Sequence, residues 1–355
     1  MNEADKAETT GEDGRVQVVI HNHPEQRGWV RRWFVRTLLI VSLLVNAVLY
    51  TSVGGYFSQA QVWEQFRDGD LTASAKIAVV PIKGLITSDS VRQPIKELKH
   101  AAEDAAVKAI VLEIDTPGGT LSASDELYHA VVEFKRTSAN AKPVVAFLKG
   151  MATSGGYYVA VASDKIVAER STMTGSIGVI VTLFHGEKLL EKVGVAPEVV
   201  KSGAMKDSGS MYRVMTDAER REWQRMVNGM YRQFLDVVLK HRGELVGGED
   251  KLRPLADGRV LSADDALNAK LIDSIGYEID AYDAAKRLAA LTGKTRVIDY
   301  SRPTMSLSSL LLGKAPTAPP GVTWKQAADA LTPQLMLMPG WSPAWLLSAS
   351  ERTTP

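Results

Sequence analysis

The stretch PVVAFLKGMATSGGYYVAVA, residues 143–162, decides the fold. Its first part, Pro143 to Leu148, is an apolar, β-branched and aromatic run of strand length, and its last, Tyr157 to Ala162, reads as a helix. Gly150 to Gly156 turn the chain from one to the other, with Ser154 at the turn. A serine there has its hydroxyl at the end of a sheet and its neighbouring amides at a helix N-terminus, where donors are unpaired and the field favours negative charge. Two roles suit it: an acyl-transfer nucleophile, or a helix N-cap.

Outward from this turn, short apolar runs alternate with amphipathic stretches. Strands are expected over Ile77 to Ile82 and Ala109 to Ile114, with helices over Val91 to Ala106 and Ala123 to Arg136. Downstream come a strand-like Val179 to Leu183, a helix from Lys188 to Val193, a strand-like Ala196 to Val200 and a polar loop from Lys201 to Ser210. A long amphipathic helix follows from Thr216 to His241, where Thr216 and Glu219 have capping-box spacing. Such alternation predicts an α/β fold with crossover helices.

The chain has 355 residues, 45% hydrophobic and 23% charged, enough for one large domain with appendages. A net charge of +1, with no basic cluster beyond a membrane flank, argues against a nucleic-acid surface. The absence of cysteine removes disulfides, thiolate metal sites and a cysteine nucleophile. No charged residue occurs between Arg36 and Glu64, and Thr37 to Val53 is long and apolar enough to cross a bilayer as a helix. Trp33, Phe34, Tyr56 and Phe57 suit the two interfaces, and Arg27, Arg31, Arg32 and Arg36 crowd the N-terminal side. The expected organisation is a cytoplasmic tail (1–32), one uncleaved transmembrane helix (33–57), a polar stalk (58–75), a folded domain outside the cytoplasm (76–300) and a Pro-rich C-terminal tail (301–355). A cleaved signal peptide competes with the anchor, but the preceding stretch is long and carries Asp5, Glu8, Glu12 and Asp13.

A serine nucleophile needs a base and oxyanion donors. Of six histidines, His21 and His23 precede the span, and none of His100, His129, His185 and His241 sits in a loop with an acid partner at a recognisable spacing. A buried lysine that loses its proton through desolvation is the other candidate, and Lys206 lies in a Gly/Ser loop after a strand-like run; taken alone it reads first as a solvated surface charge. The sequence Asp115-Thr116-Pro117-Gly118-Gly119-Thr120 follows an apolar strand, and its glycines allow amides to approach a carbonyl closely.

Taken together, Asp115 to Gly119, Ser154-Gly155-Gly156-Tyr157-Tyr158, Met173 to Val179, Ser202-Gly203-Ala204-Met205-Lys206 and Ala256 to Val260 before Gly276 resemble the signal peptide peptidase A (SppA) family over about residues 76–300. The resemblance implies a Clp-protease or crotonase-like fold and a Ser/Lys dyad endopeptidase that degrades remnant signal peptides, without metal or cofactor, anchored in the membrane and assembled into a homo-oligomeric ring. It also implies roles: Ser154 as nucleophile, Lys206 as general base, Ser176 as the lysine's hydrogen-bond partner, and the amides of Gly119 and Gly155 as the oxyanion hole. With one Ser154-type turn in the chain, Ser154 and Lys206 of one protomer are expected to meet. A broader membrane-associated quality-control protease and a catalytically silent scaffold of the same fold are the alternatives.

Overall fold

The computed structural model describes residues 27–58, 63–138, 142–301 and 336–337. Residues 1–26 of the expected cytoplasmic tail and most of the expected C-terminal tail lie outside these residues. The chain divides into two compact units, the first containing α1 and the second the sheet with its helices. The helix α1 (Arg27–Ser58) contains a window, Arg31–Leu49, long and apolar enough to cross a membrane, with none of it buried inside the protein.

The second unit is built on β1 (Trp63–Gly69), β2 (Ala75–Lys83), α2 (Arg92–Glu103), β3 (Val107–Thr116), β4 (Gly119–Thr120), α3 (Leu121–Thr137), β5 (Val144–Thr153) and α4 (Gly155–Ala160). It continues through β6 (Lys165–Ala168), β7 (Met173–Gly175), α5 (Glu187–Lys192), α6 (Asp217–Val246), α7 (Glu249–Leu252) and β8 (Val260–Ser262). Then come α8 (Ala263–Asn268), β9 (Ser274–Ile275), α9 (Glu278–Leu288), β10 (Thr295–Ser301) and β11 (Met336–Leu337). The main sheet runs β1-β10-β2-β3-β5-β6-β9, with β7 beside β5 and β8 beside β7. The central pairs β10·β2, β2·β3, β3·β5, β5·β6 and β6·β9 are parallel, and β1 closes one edge antiparallel to β10.

Strand alternation sorts the core into two layers. Val80, Ile110, Leu112, Ile114, Ala146 and Leu148 face one layer with residues of α2, α3, α4 and α6, while Ile77, Val79, Val111, Val145 and Phe147 face the other with α9. Both strand faces are buried, which is why these strands read as continuous apolar runs. The mixed α/β sheet with crossover helices agrees with the expectation from sequence, and so does the capping box: Thr216 Oγ1 accepts from the Glu219 amide while Glu219 accepts from the Thr216 amide.

Three expectations are corrected. Part of the stretch expected as a stalk is β1, held by Arg67, which pairs with the buried carboxylate of Glu113 on β3 and with Glu278 at 2.7 Å. Lys83 reaches the same Glu113 at 2.6 Å; burial alone would raise this carboxyl's pKa, but the bonds from Lys83 and Arg67 win and hold it below its ordinary value. The runs Val179 to Leu183 and Ala196 to Val200 form no strand. Ile180 makes only an isolated bridge, and Val200 is 95% exposed.

Candidate active site

The strands β3 and β5 run parallel, and their C-terminal ends deliver the loop before β4 and the turn before α4 to one place. Ser154 links β5 to α4 with φ 53° and ψ −111°, a backbone conformation costly for a residue bearing a side chain. It is fully buried, its side chain caps nothing, and among the described residues its Oγ has no hydrogen-bond partner. The N-cap role is therefore excluded. What holds the strain is the backbone: the Ser154 amide donates to the Gly175 carbonyl at 2.8 Å, and its carbonyl accepts from Tyr158 N–H at 2.8 Å.

Glycine is required around it for space. A Cβ on Gly155 would lie 2.3 Å from Ser124 Oγ and 3.3 Å from both Gly118 Cα and the Gly119 nitrogen. On Gly119 it would lie 1.9 Å from the Ile86 carbonyl oxygen. The two glycines expected to supply oxyanion donors are thus packed against one another beside Ser154. Thr116 Oγ1 accepts from Gly118 N–H at 3.0 Å and Thr153 Oγ1 donates to the Pro117 carbonyl at 3.1 Å, fixing the glycine loop to the ends of both strands.

Ser176 follows β7, whose parallel register with β5 sets Gly175 opposite Thr153. It is 2% exposed, shares the φ of 53°, and its amide donates to the Arg259 carbonyl at 2.8 Å. The structure therefore brings Ser154, Ser176, Gly119 and Gly155 together. Lys206 is elsewhere in environment: it is exposed in the 201–210 loop, its amide donating to the Gly203 carbonyl at 3.1 Å, and it makes no hydrogen bond to Ser154. That loop is tied down by Asp207, which pairs with Lys201 at 2.5 Å and Arg213 at 2.8 Å, and Arg213 pairs in turn with Glu219 at 2.5 Å. Arg213 and then Lys201 hold the Asp207 carboxyl far below the carboxylate range, and Arg213 draws Glu219 down to about 2.

Among the described residues no histidine bonds to Ser154. His241 Nε2 meets Tyr128 Oη at 2.8 Å, its pKa lowered by burial, and His185 Nδ1 meets the Arg213 carbonyl at 3.1 Å. Three contributors to the site carried no signal in the sequence. Ile86 clamps β4 through backbone bonds at 2.8 and 2.9 Å, Ser124 closes the space over Gly155, and the Arg259 carbonyl fixes Ser176. Ile86 and Arg259 act through main chain, which residue type does not encode, and Ser124 acts through a hydroxyl placed there only by the packing of α3. Beside the clamp, Ile82, Ile86, Val91, Pro94 and Leu127 line an apolar cavity of about 210 Å³.

Comparison with known proteins supports a proteolytic reading of this geometry. The profile of peptidase family S49 matches residues 136–292, and that of the NfeD1b N-terminal domain matches residues 76–194. The chain is 38% identical to an Enterococcus faecium protein provisionally named a signal peptide peptidase SppA, over 62% of this chain and 62% of that protein. It is 35% identical to a provisionally named protease of Methanocaldococcus jannaschii, over 59% of this chain and 65% of the relative. With a Synechocystis protein, also provisionally named a protease, identity is 38% over 61% of this chain and 75% of the relative. The match thus spans just under two thirds of the length of the first two relatives.

Proposed function

The chain belongs to peptidase family S49, the serine peptidase family of signal peptide peptidase SppA, and from that premise we propose that it is a membrane-anchored endopeptidase cutting remnant signal peptides with a Ser154/Lys206 dyad. The observation that carries the reading is Ser154 itself: a strained, fully buried hydroxyl with no partner among the described residues, beside two glycine amides. A scaffold has no use for such a residue, because strain and an unpaired buried polar atom both cost stability.

In the proposed reaction Ser154 Oγ attacks the scissile carbonyl and its proton passes to the neutral Lys206 amine. The amides of Gly119 and Gly155 receive the oxyanion, and Ser176 orients the lysine. Collapse expels the leaving amine, which takes the proton back from Lys206, and water then releases the acyl group from Ser154 by the same relay. For this Lys206 must leave its exposed position and dock at Ser154, and we assign that docking to assembly of the ring. A Clp-protease or crotonase-like classification suits the parallel core with its serine turn at the strand ends. The Arg31–Leu49 window supports a single-pass anchor, with the arginine-rich N-terminal flank cytoplasmic and the peptidase domain on the outer side. Apolar substrate segments suit both that location and the cavity beside Ile86.

The test is hydrolysis of an apolar fluorogenic peptide by the full chain in detergent. Ser154→Ala is expected to lower kcat/KM by about 10³-fold or more, and parental activity in that variant would remove the reading.

A further inference from the structure

The helix α4 has six residues, too few to fix its own position, and it starts at the strained Ser154. Its first two residues, Gly155 and Gly156, have no side chains with which to hold it. The anchors are the next two, both fully buried: Tyr157 Oη donates to the Leu271 carbonyl at 2.8 Å, and Tyr158 Oη donates to Asp125 Oδ1 on α3 at 2.7 Å. Burial, and then the bond to Asp125, raise the Tyr158 pKa, so the phenol keeps its proton and remains the donor. Gln233 on α6 donates to the same Oη at 3.4 Å, and the Tyr158 ring packs edge-on to Tyr128 at 5.5 Å and against Phe234 at 5.0 Å.

The helix that receives Tyr158 is the one attached to the other oxyanion amide. Gly119 is followed directly by Thr120, the N-cap of α3, whose Oγ1 accepts from Ala123 N–H at 3.3 Å and whose carbonyl accepts from Ser124 Oγ at 2.9 Å. Ser124 is the residue packed over Gly155, and Asp125 follows it. A closed path therefore runs from Gly119 through the start of α3 to Tyr158 and back along α4 to Gly155. An oxyanion hole needs its two donors at a fixed separation before the reaction begins, and this path fixes it. We propose that the start of α3 gauges the spacing of the two oxyanion amides, with Asp125 and Tyr158 as its positioning residues: neither touches substrate, and both act through Gly155. This role rests on the peptidase reading of Ser154.

The experiment separates position from stability by measuring kcat, KM and the thermal midpoint of the full chain in detergent, with an apolar fluorogenic peptide as substrate. Tyr158→Phe keeps the ring and deletes the donor. Its kcat is expected to fall about tenfold while KM stays within about twofold, because the hole acts on charge that develops in the transition state. Asp125→Ala is expected to fall alike, and Asp125→Asn, which keeps an acceptor oxygen, to recover kcat to within about threefold of the parent. Combining Tyr158→Phe with Asp125→Ala should lower kcat no further than the larger single loss, since the two share one bond. Parental kcat in Tyr158→Phe, with or without a lowered midpoint, or Asp125→Asn as slow as Asp125→Ala, overturns the proposal. A parent chain that cleaves nothing would fail the peptidase reading and this role with it, whereas a cleaving parent matched by Tyr158→Phe fails only this role.

Discussion

At the scale of single residues, Ser154 carries a conflict between stability and chemistry. Its φ of 53° with ψ of −111° costs a non-glycine residue about 1–3 kcal/mol. Glycine removes that strain and returns about 0.5–1 kcal/mol through a looser unfolded chain. Ser154→Gly is therefore expected to be inactive and more stable by about 1 kcal/mol, seen as a higher thermal midpoint of the full chain in detergent; a lower midpoint would show that Ser154 is not strained. The serine was legible in sequence because its strand-to-glycine turn is local. That its side chain does not cap the helix was not legible, since that depended on a torsion angle and on what the hydroxyl fails to bond.

At the scale of elements, the loop of Lys206 and the start of α6 share one charge network. Asp207 and Glu219 are both held below the ordinary carboxylate range, which means their ionised forms stabilise the fold above about pH 4 and lose that contribution as pH falls toward 2. Hydrogen exchange across residues 201–220 is expected to accelerate between pH 4 and 2 before the central strands respond. Asp207→Asn should shift that loosening to higher pH, and exchange unaffected by the substitution would contradict the network. The central strands β2, β3 and β5 were legible because burial on both faces makes apolar runs. The edge strand β1 was not: Trp63, Phe66 and most of its length are exposed, and a charged pair inside the sheet edge, Arg67 with Glu113, holds it. Conversely Val199 and Val200 have strand-forming side chains and form none.

At the scale of the whole molecule, the segment from Ile180 to Val214 presents Phe184, Leu189, Val193, Val195, Val199 and Val200 to solvent, and α5 buries no residue at all. So much exposed apolar side chain on one segment calls for a cover, and the proposed ring supplies one. Val193→Asp with Val200→Asp is expected to reduce the particle mass in detergent, measured by light scattering, and to lower peptidase activity in step; an unchanged mass would put the interface elsewhere. In sequence the proposed assembly rests on resemblance alone, because an exposed apolar run and a buried strand look alike there. If docking is between copies, mixing Ser154→Ala with Lys206→Ala chains restores part of the activity; if within a copy, it restores none.

The most direct test of the account is the rate at which the assembled full chain hydrolyses an apolar fluorogenic peptide, compared among parent, Ser154→Ala and Lys206→Ala. The account predicts a cleaving parent and a loss of about 10³-fold or more in each variant. Cleavage that survives Ser154→Ala would contradict it, and cleavage that survives Lys206→Ala alone would keep the nucleophile and require another base.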